Sequence, residues 1–95
     1  MKPFNIEDVF SSKGRVKVLR VLIEHKALNI TEIVRRSTLS YSSVVKHLRF
    51  LSQIGLVRER RYGKIRIFFV NEDHDLIKAL KKILVAENRS KPPSS

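Results

Sequence analysis

The sequence predicts an α+β fold that is mostly helical, with one two-stranded β-hairpin followed by a C-terminal helix. Apolar residues recur at helical spacing in the first half of the chain and again near its end. Two β-rich runs flank a turn that contains a glycine. The 95 residues are enough for one compact domain. A single small domain built around a hairpin is therefore expected.

Helical periodicity accounts for the first half of the chain. Residues 4–10 form a short leading helix, and residues 12–25 carry an apolar stripe with interspersed cations. Residues 27–30 break this period and are compatible with a brief strand. A short helix capped by Asn29 or Thr31 follows. The chain then turns at Thr-Leu-Ser into a long basic helix.

The helix predicted for residues 40–54 has one face suited to an anionic groove. Ser40 is a good N-cap, and the helix ends before Gly55, a residue suited to the left-handed position that follows a helix. At about 100° per residue, the apolar residues Val44, Leu48 and Leu51 fall on one side and form a buried stripe. The opposite side carries polar and basic residues and no acid, namely Ser42, Lys46, Arg49 and Gln53.

A basic hairpin is predicted after this helix. Residues 56–61 and 65–70 are β-rich, and Tyr62-Gly63-Lys64 between them is a turn signal. The whole chain has 20 basic and 9 acidic residues, for a net charge of +11. Between Lys46 and Arg66 there are seven basic residues and one acid, Glu59. Charge of this kind favours a polyanion, either nucleic acid or an anionic membrane surface, and places its binding face in this segment.

The order of these elements is that of a helix-turn-helix followed by a wing. In such folds a helix enters the major groove of B-DNA, and a hairpin tip follows the backbone or enters the minor groove. The alternative to DNA contact is, for the polar face of the helix, a surface that is merely solvated. For the hairpin, it is a basic tip that only improves solubility. Packing roles stay open for Tyr41, His47 and Tyr62. The candidate DNA-binding residues are Ser40, Tyr41, Ser42, Ser43, Lys46, His47, Arg49, Arg60, Arg61, Tyr62, Lys64 and Arg66.

A final helix is predicted for residues 73–88, starting at Asp73 or Asn71. Its apolar residues cover a wider arc than packing on one small domain requires. They either pack entirely on their own domain or pair with a second copy, and the dimer is favoured. Residues 1–88 then form one winged-helix domain, and residues 89–95 form a disordered tail. The candidate dimerisation residues are Leu76, Ile77, Leu80, Ile83 and Leu84.

The segment from Leu39 to Val57, LSYSSVVKHLRFLSQIGLV, resembles the recognition-helix signature of ArsR-type and related winged-helix transcriptional regulators. In that family a serine-rich start, an x-His-Leu-x-x-Leu core and a closing Gly-Leu-Val recur, before a basic wing with glycine at its tip. The resemblance implies a winged helix, DNA binding and dimerisation through terminal helices. Val45 stands where the family often has serine. The cysteine or clustered acid and histidine ligands of metal sensors are missing, so metal sensing is not carried over.

Composition excludes several function classes. The chain has no cysteine, which removes disulfides, thiolate metal sites and cysteine nucleophiles. The histidines His25, His47 and His74 lack metal-ligand spacing, and no catalytic constellation is present, so neither an enzyme nor a cofactor or metal is expected. No apolar run approaches the ~20 residues that cross a bilayer. A soluble, cytoplasmic, nucleoid-associated protein is therefore expected, with a composition compatible with an archaeal source.

The function predicted from these observations is sequence-specific binding of double-stranded DNA by a homodimeric transcriptional regulator. Repression by occlusion is favoured over activation. An architectural protein that coats DNA with little sequence preference is one alternative. A winged-helix module that binds RNA or protein is another.

Overall fold

The computed structural model describes residues 5–91, which form five helices and a three-stranded antiparallel sheet. The predicted fold class, a mostly helical winged helix-turn-helix with a β-hairpin and a C-terminal helix, is confirmed. Residue 4 of the predicted leading helix and residues 92–95 of the predicted tail lie outside the described part. The elements are α1 Ile6–Phe10, α2 Lys13–Glu24, β1 Leu28–Asn29, α3 Ile30–Ser37, α4 Tyr41–Gln53, β2 Val57–Tyr62, β3 Ile65–Val70 and α5 Asp75–Ser90.

Side-chain caps fix where the two central helices begin. Asn29 Oδ1 accepts a hydrogen bond of 2.9 Å from the backbone N–H of Glu32 and so caps α3. Ser40 Oγ accepts one of 3.2 Å from the N–H of Ser43 and caps α4. Each cap satisfies a backbone donor that the first helical turn leaves unpaired. Asn29 is thus the cap of α3, and the predicted cap Ser40 is confirmed.

A glycine-centred C-cap directs the chain from α4 into the sheet. Gly55 has a φ of 83°, in the left-handed region where residues with a Cβ are strained. Its N–H donates to Ser52 O at 3.2 Å, and the N–H of Leu56 donates to Leu51 O at 3.0 Å. This pair of bonds is the Schellman motif, and both leucines are buried, as is common there. The motif therefore fixes the angle between α4 and β2.

The sheet has the strand order β1-β3-β2. Strands β2 and β3 are joined by the two-residue turn Gly63-Lys64, with Tyr62 paired to Ile65 and a positive φ of 61° at Gly63. The brief strand β1 pairs with β3 on its other side, Leu28 opposite Phe68. The wing is therefore anchored to the helix-turn-helix along β3, and within residues 5–91 no strand pairs with the other edge of β2.

One hydrophobic core joins the helices to the inner face of the sheet. Every element except β1 contributes at least one buried side chain to it, and the contribution of α1 is Val9. The buried stripe predicted on α4 is confirmed, since Val44, Leu48 and Leu51 are all enclosed. The largest fully buried side chains elsewhere are Phe68, Leu19, Leu22, Ile33, Leu56 and Ile77.

The last helix differs from its predicted bounds. It begins at Asp75, and its N-cap is His74, whose Nδ1 accepts a hydrogen bond of 3.1 Å from the N–H of Leu76. The predicted starts at Asp73 or Asn71 were wrong because Asn71 is buried and bonds the carbonyl of Gly55 at 3.1 Å instead. The helix continues to Ser90, so the first two residues of the predicted tail 89–95 are helical.

Candidate nucleic-acid interface

The turn between α3 and α4 is held by side-chain contacts. Thr38 adopts a left-handed φ of 59°, an unusual conformation for a β-branched residue. Its Oγ1 accepts a hydrogen bond of 3.2 Å from Lys17 Nζ on α2. Ser37 is fully buried, and its Oγ accepts from the N–H of Leu39 at 3.3 Å. These contacts fix the orientation of α4 against the preceding helices.

The outward face of α4 is polar and cationic. Ser42, Lys46, Arg49 and Gln53 are all exposed, opposite the buried stripe. Among residues 5–91, no carboxylate lies within ion-pair distance of Lys46 or Arg49. Both charges are therefore available to an anion. Ser40 Oγ accepts the capping bond from the N–H of Ser43 and lies 3.4 Å from Ser42 Oγ, and Ser42 is more exposed than Ser43.

The wing carries its cations on two faces. Pairing in the hairpin sets Arg61 opposite Arg66 on the inner face and Arg60 opposite Ile67 on the outer face. Tyr62 is exposed on the outer face, next to the turn. Lys64 lies in the turn itself and has no carboxylate partner in the described part of the chain. The tip therefore presents positive charge in several directions.

Glu59 neutralises part of this charge. Its carboxylate accepts bonds of 2.6 Å and 3.2 Å from Nε and an Nη of Arg66, and Arg61 Nε lies 3.6 Å away. The hydrogen bond from Arg66, above all, holds the pKa of Glu59 below its usual value. Arg66 also lies over the ring of Phe68 at 5.3 Å from its centroid. Of the wing cations named from the sequence, Arg66 is thus the most firmly held.

A groove of about 280 Å³ connects the start of α4 to the wing tip. Tyr41, the first residue of α4, lines it from one side and is 60% exposed. Lys64 and Arg66 line it from the other side. Thr31 of α3 also lines it, and no feature of the sequence singled this residue out. The helix and the wing therefore contribute to one continuous surface.

His47 lies apart from this surface. It is 7% exposed and packs where α2 and α4 approach, so that a Cβ at Gly14 would lie 3.0 Å from His47 Nε2. Its Nδ1 is buried without a hydrogen-bond partner. Burial lowers the pKa of His47, and the nearby charges of Arg15 and Lys46 lower it further. The sequence left both a packing role and DNA contact open for His47, and this placement favours packing.

Stability is expected to fall with acidification, in part through His47. In the folded chain its pKa lies below the ordinary 6.5, so the unfolded chain binds a proton that the folded chain resists. The free energy of unfolding should therefore decrease as pH falls below about 6.5, until His47 is protonated in both states. Urea unfolding from about pH 8 to pH 5 should show a smaller decrease for His47→Gln than for the wild type. Equal pH dependence in the two chains would contradict this assignment.

Arg15 has a structural role that the sequence did not indicate. Its guanidinium stacks on the ring of Phe50 in α4 at 3.9 Å from the centroid. It also donates a hydrogen bond to the carbonyl of Asp8 in α1. Arg15 therefore ties the leading helix and α2 to the back of α4.

The apolar residues of α5 divide between the core and the surface. Ile77 and Leu80 are buried in the domain, and Leu76 and Leu84 are half-buried. Ile83 is 58% exposed. Leu84 lines a groove together with Phe10 of α1. Of the five α5 residues named from the sequence as dimerisation candidates, only some are therefore accessible to a second copy of the chain.

Two further features concern residues 5–91. No helix in this range combines the length and the apolar character that crossing a bilayer requires. The same range holds no group of three or more His, Cys, Asp or Glu side chains placed to bind a metal ion.

Comparison with known proteins decides the family. A sequence model described as bacterial regulatory protein, arsR family, matches residues 12–59, just over half of the chain. The chain belongs to the ArsR family. The matched residues run from the cap of α2 into β2 and include the whole helix-turn-helix. A sequence search of curated proteins gave no match.

Solved structures share the fold of this ArsR-family chain. Reduced HlyU from Vibrio cholerae is 24% identical with a TM-score of 0.70, over 83% of this chain and 80% of that one. The transcriptional repressor PagR of Bacillus anthracis is 26% identical with a TM-score of 0.68, over 81% and 85%. The Zα domain of PKZ from Carassius auratus, solved in complex with Z-DNA, is 19% identical with a TM-score of 0.58, over 62% and 94%.

Family membership settles the general activity. The ArsR-family chain is a DNA-binding transcriptional regulator whose class of partner is double-stranded DNA. The family consists of regulators and not of enzymes, which confirms the expectation that the chain is not an enzyme. The winged helix-turn-helix recognised from the sequence is confirmed as well.

Proposed function

We propose that this ArsR-family regulator binds one specific duplex sequence as a homodimer and represses transcription by occupying that site. The groove shared by the start of α4 and the wing tip is the observation that carries the proposal, because it joins the two basic elements into one surface. In this arrangement residues 40–54 enter the major groove, and residues 60–66 follow the flanking backbone or enter the minor groove.

Exposure and pairing divide the candidate contacts by role. Tyr41, Ser42 and Lys46, in the first half of α4, are placed to approach base edges and phosphates. Arg49 lies further along the helix, where a phosphate contact is more accessible. The cations of the wing contact DNA phosphates on both sides of the hairpin tip, because a hairpin that enters a groove has DNA on both of its faces. They are Arg60, Arg61, Lys64 and Arg66, with Tyr62 beside them.

Exposed apolar residues support a dimer through the terminal helices. Ile83 and Val85 on α5 and Ile6 and Phe10 on α1 are at least two-fifths exposed. Burying such residues against a second copy is favourable, at about 25 cal/mol per Å² of apolar surface. A two-fold dimer would place its recognition helices ~34 Å apart, one turn of DNA, and would fit a pseudo-palindromic site.

Repression by occlusion needs no surface beyond the DNA-binding face. A dimer seated across a promoter excludes other proteins from it. PagR, which shares the fold and is 26% identical, is described as a transcriptional repressor. Repression is therefore the proposed mode of action, in the cytoplasm and on the nucleoid.

Selection of bound duplexes from a random pool tests this function. The selected duplex is then titrated at several salt concentrations beside a scrambled duplex of equal length. A palindromic sequence bound ~10³-fold or more tighter than the scrambled duplex would support a dimeric, specific regulator. Tight binding without sequence preference would place the chain with architectural proteins. Absence of duplex binding at low salt would overturn the proposal and make RNA or protein the partner to test.

A further inference from the structure

Glu59 is the one acidic residue in the most basic segment of the chain, between Lys46 and Arg66. It lies on the inner face of the wing and lines a groove of about 250 Å³ between the wing and α4. Arg49, on the outward face of α4, lines the same groove. A carboxylate in this place repels the phosphates that the surrounding cations attract.

Strand register explains why Glu59 meets Arg66. Glu59 pairs directly with Phe68, and Arg66 is two residues away on β3, on the same face of the sheet. Two hydrogen bonds, of 2.6 Å and 3.2 Å, fix the guanidinium by its Nε and one Nη. The ring of Phe68 lies beneath it, 5.3 Å away. Arg66 is therefore held at one point and is restricted from following a nearby phosphate.

The position at which Arg66 is held adjoins the start of α4. Arg66 and Tyr41 line the same groove, where the backbone of a bound duplex would pass between helix and wing. An arginine fixed here favours one register of the duplex, whereas a free arginine adds affinity for any duplex. Its charge is also offset by the carboxylate, which reduces the attraction to non-cognate DNA.

We propose that Glu59 is a positioning residue for DNA recognition, which orients Arg66 at the junction of wing and α4 and limits sequence-independent binding. The inference rests on the proposed function, since it concerns how the same surface discriminates between duplexes. In this proposal Glu59, a carboxylate within a basic wing, contributes to specificity although it makes no contact with a phosphate.

Glu59→Gln tests the inference, because it keeps the shape of the side chain and removes its charge. Freeing Arg66 for one more phosphate contact should raise affinity for a scrambled duplex about eightfold at ~0.1 M salt. The slope of log affinity against log salt should steepen by about 0.9. Affinity for the selected duplex should rise less, so the ratio of the two affinities falls. In Glu59→Asp, which keeps the charge, the slope should stay close to that of the wild type.

Two further variants separate this role from net charge and from folding. Glu72→Gln makes the same change in charge beyond the far end of β3, where Glu72 pairs with Lys81, and should leave the ratio unchanged. In an Arg66→Gln background, Glu59→Gln should no longer lower the ratio. Thermal unfolding of each variant shows that it is folded under the binding conditions.

Several outcomes would overturn the inference. One is a Glu59→Gln chain that is indistinguishable from the wild type in slope and in ratio, and another is a Glu72→Gln chain that changes both equally. Either result, with a wild type that still selects a sequence, removes the role of Glu59 and leaves the proposed function intact. A wild type that selects no sequence removes the proposed function, and the inference fails with it.

Discussion

Replacing Lys46 and Arg49 together by alanine is expected to weaken duplex binding by about 60-fold at ~0.1 M salt. Both side chains are exposed on α4, and neither has a carboxylate partner within residues 5–91, so their charges are available to phosphates. Each lost contact removes one contribution from counterion release. The slope of log affinity against log salt should therefore become shallower by about 1.8, as measured by titration of the selected duplex.

A matched control removes two charges from another helix. Lys78 and Lys82 are exposed on α5, and alanine at both positions lowers the net charge by the same amount. Their replacement should change affinity far less, because α5 belongs neither to the helix-turn-helix nor to the wing, and attraction between exposed charges is screened beyond about 10 Å at 0.1 M salt. If the control lost as much affinity as the α4 variant, total charge and not the α4 face would determine binding.

The substitution Ile83→Glu is expected to convert the proposed dimer into a monomer. Ile83 is 58% exposed on α5, and in the proposed interface its replacement would bury an unpaired carboxylate, a strongly unfavourable change. Light scattering should give a mass near 11.1 kDa in place of twice that value. Binding to the palindromic duplex should weaken by about 100-fold or more, because a subunit bound at one half-site no longer keeps a second subunit close to the other half-site.

The same substitution at Ile65 provides the control. Ile65 is 54% exposed, similar to Ile83, but it lies on the wing. Ile65→Glu should stay dimeric, whatever its effect on DNA. A wild-type chain that is monomeric at the concentrations used for binding would rule out the terminal-helix dimer. An Ile83→Glu chain that is still dimeric would move the interface elsewhere.

Local signals in the sequence were enough to predict most of the fold. The N-cap Ser40, the stripe through Val44 and the glycine turn at Gly63 each follow from the chemistry of a few neighbouring residues. The serine-rich and Gly-Leu-Val signature of residues 39–57 added the family. The exposed face of α4 followed from helical periodicity alone.

Contacts between distant residues account for what local signals missed. Asn71 looks like a helix cap, but it bonds the carbonyl of Gly55, sixteen residues earlier. The stacking of Arg15 on Phe50 joins two helices and has no local signature. Burial of His47 depends in the same way on the close approach of Gly14.

The pairing of Glu59 with Arg66 could have been inferred from the sequence. A two-residue turn at Gly63-Lys64 sets the register of the hairpin, and that register places both side chains on one face. The net charge of the wing does not tell which face of the hairpin each charged residue occupies. The register of β2 against β3 does, and it identifies Glu59 as the carboxylate partner of Arg66.

The free edge of β2 has a consequence for colloidal behaviour. Within residues 5–91, β2 pairs only with β3, so half of its backbone donors and acceptors point outward. Such an edge can recruit a strand from another molecule and begin aggregation. Arg58, Arg60 and Arg61 place like charges along it, and two such edges repel each other. Variants that remove these arginines to weaken DNA binding would therefore also remove a safeguard against self-association, and their solubility would limit how far the wing can be neutralised.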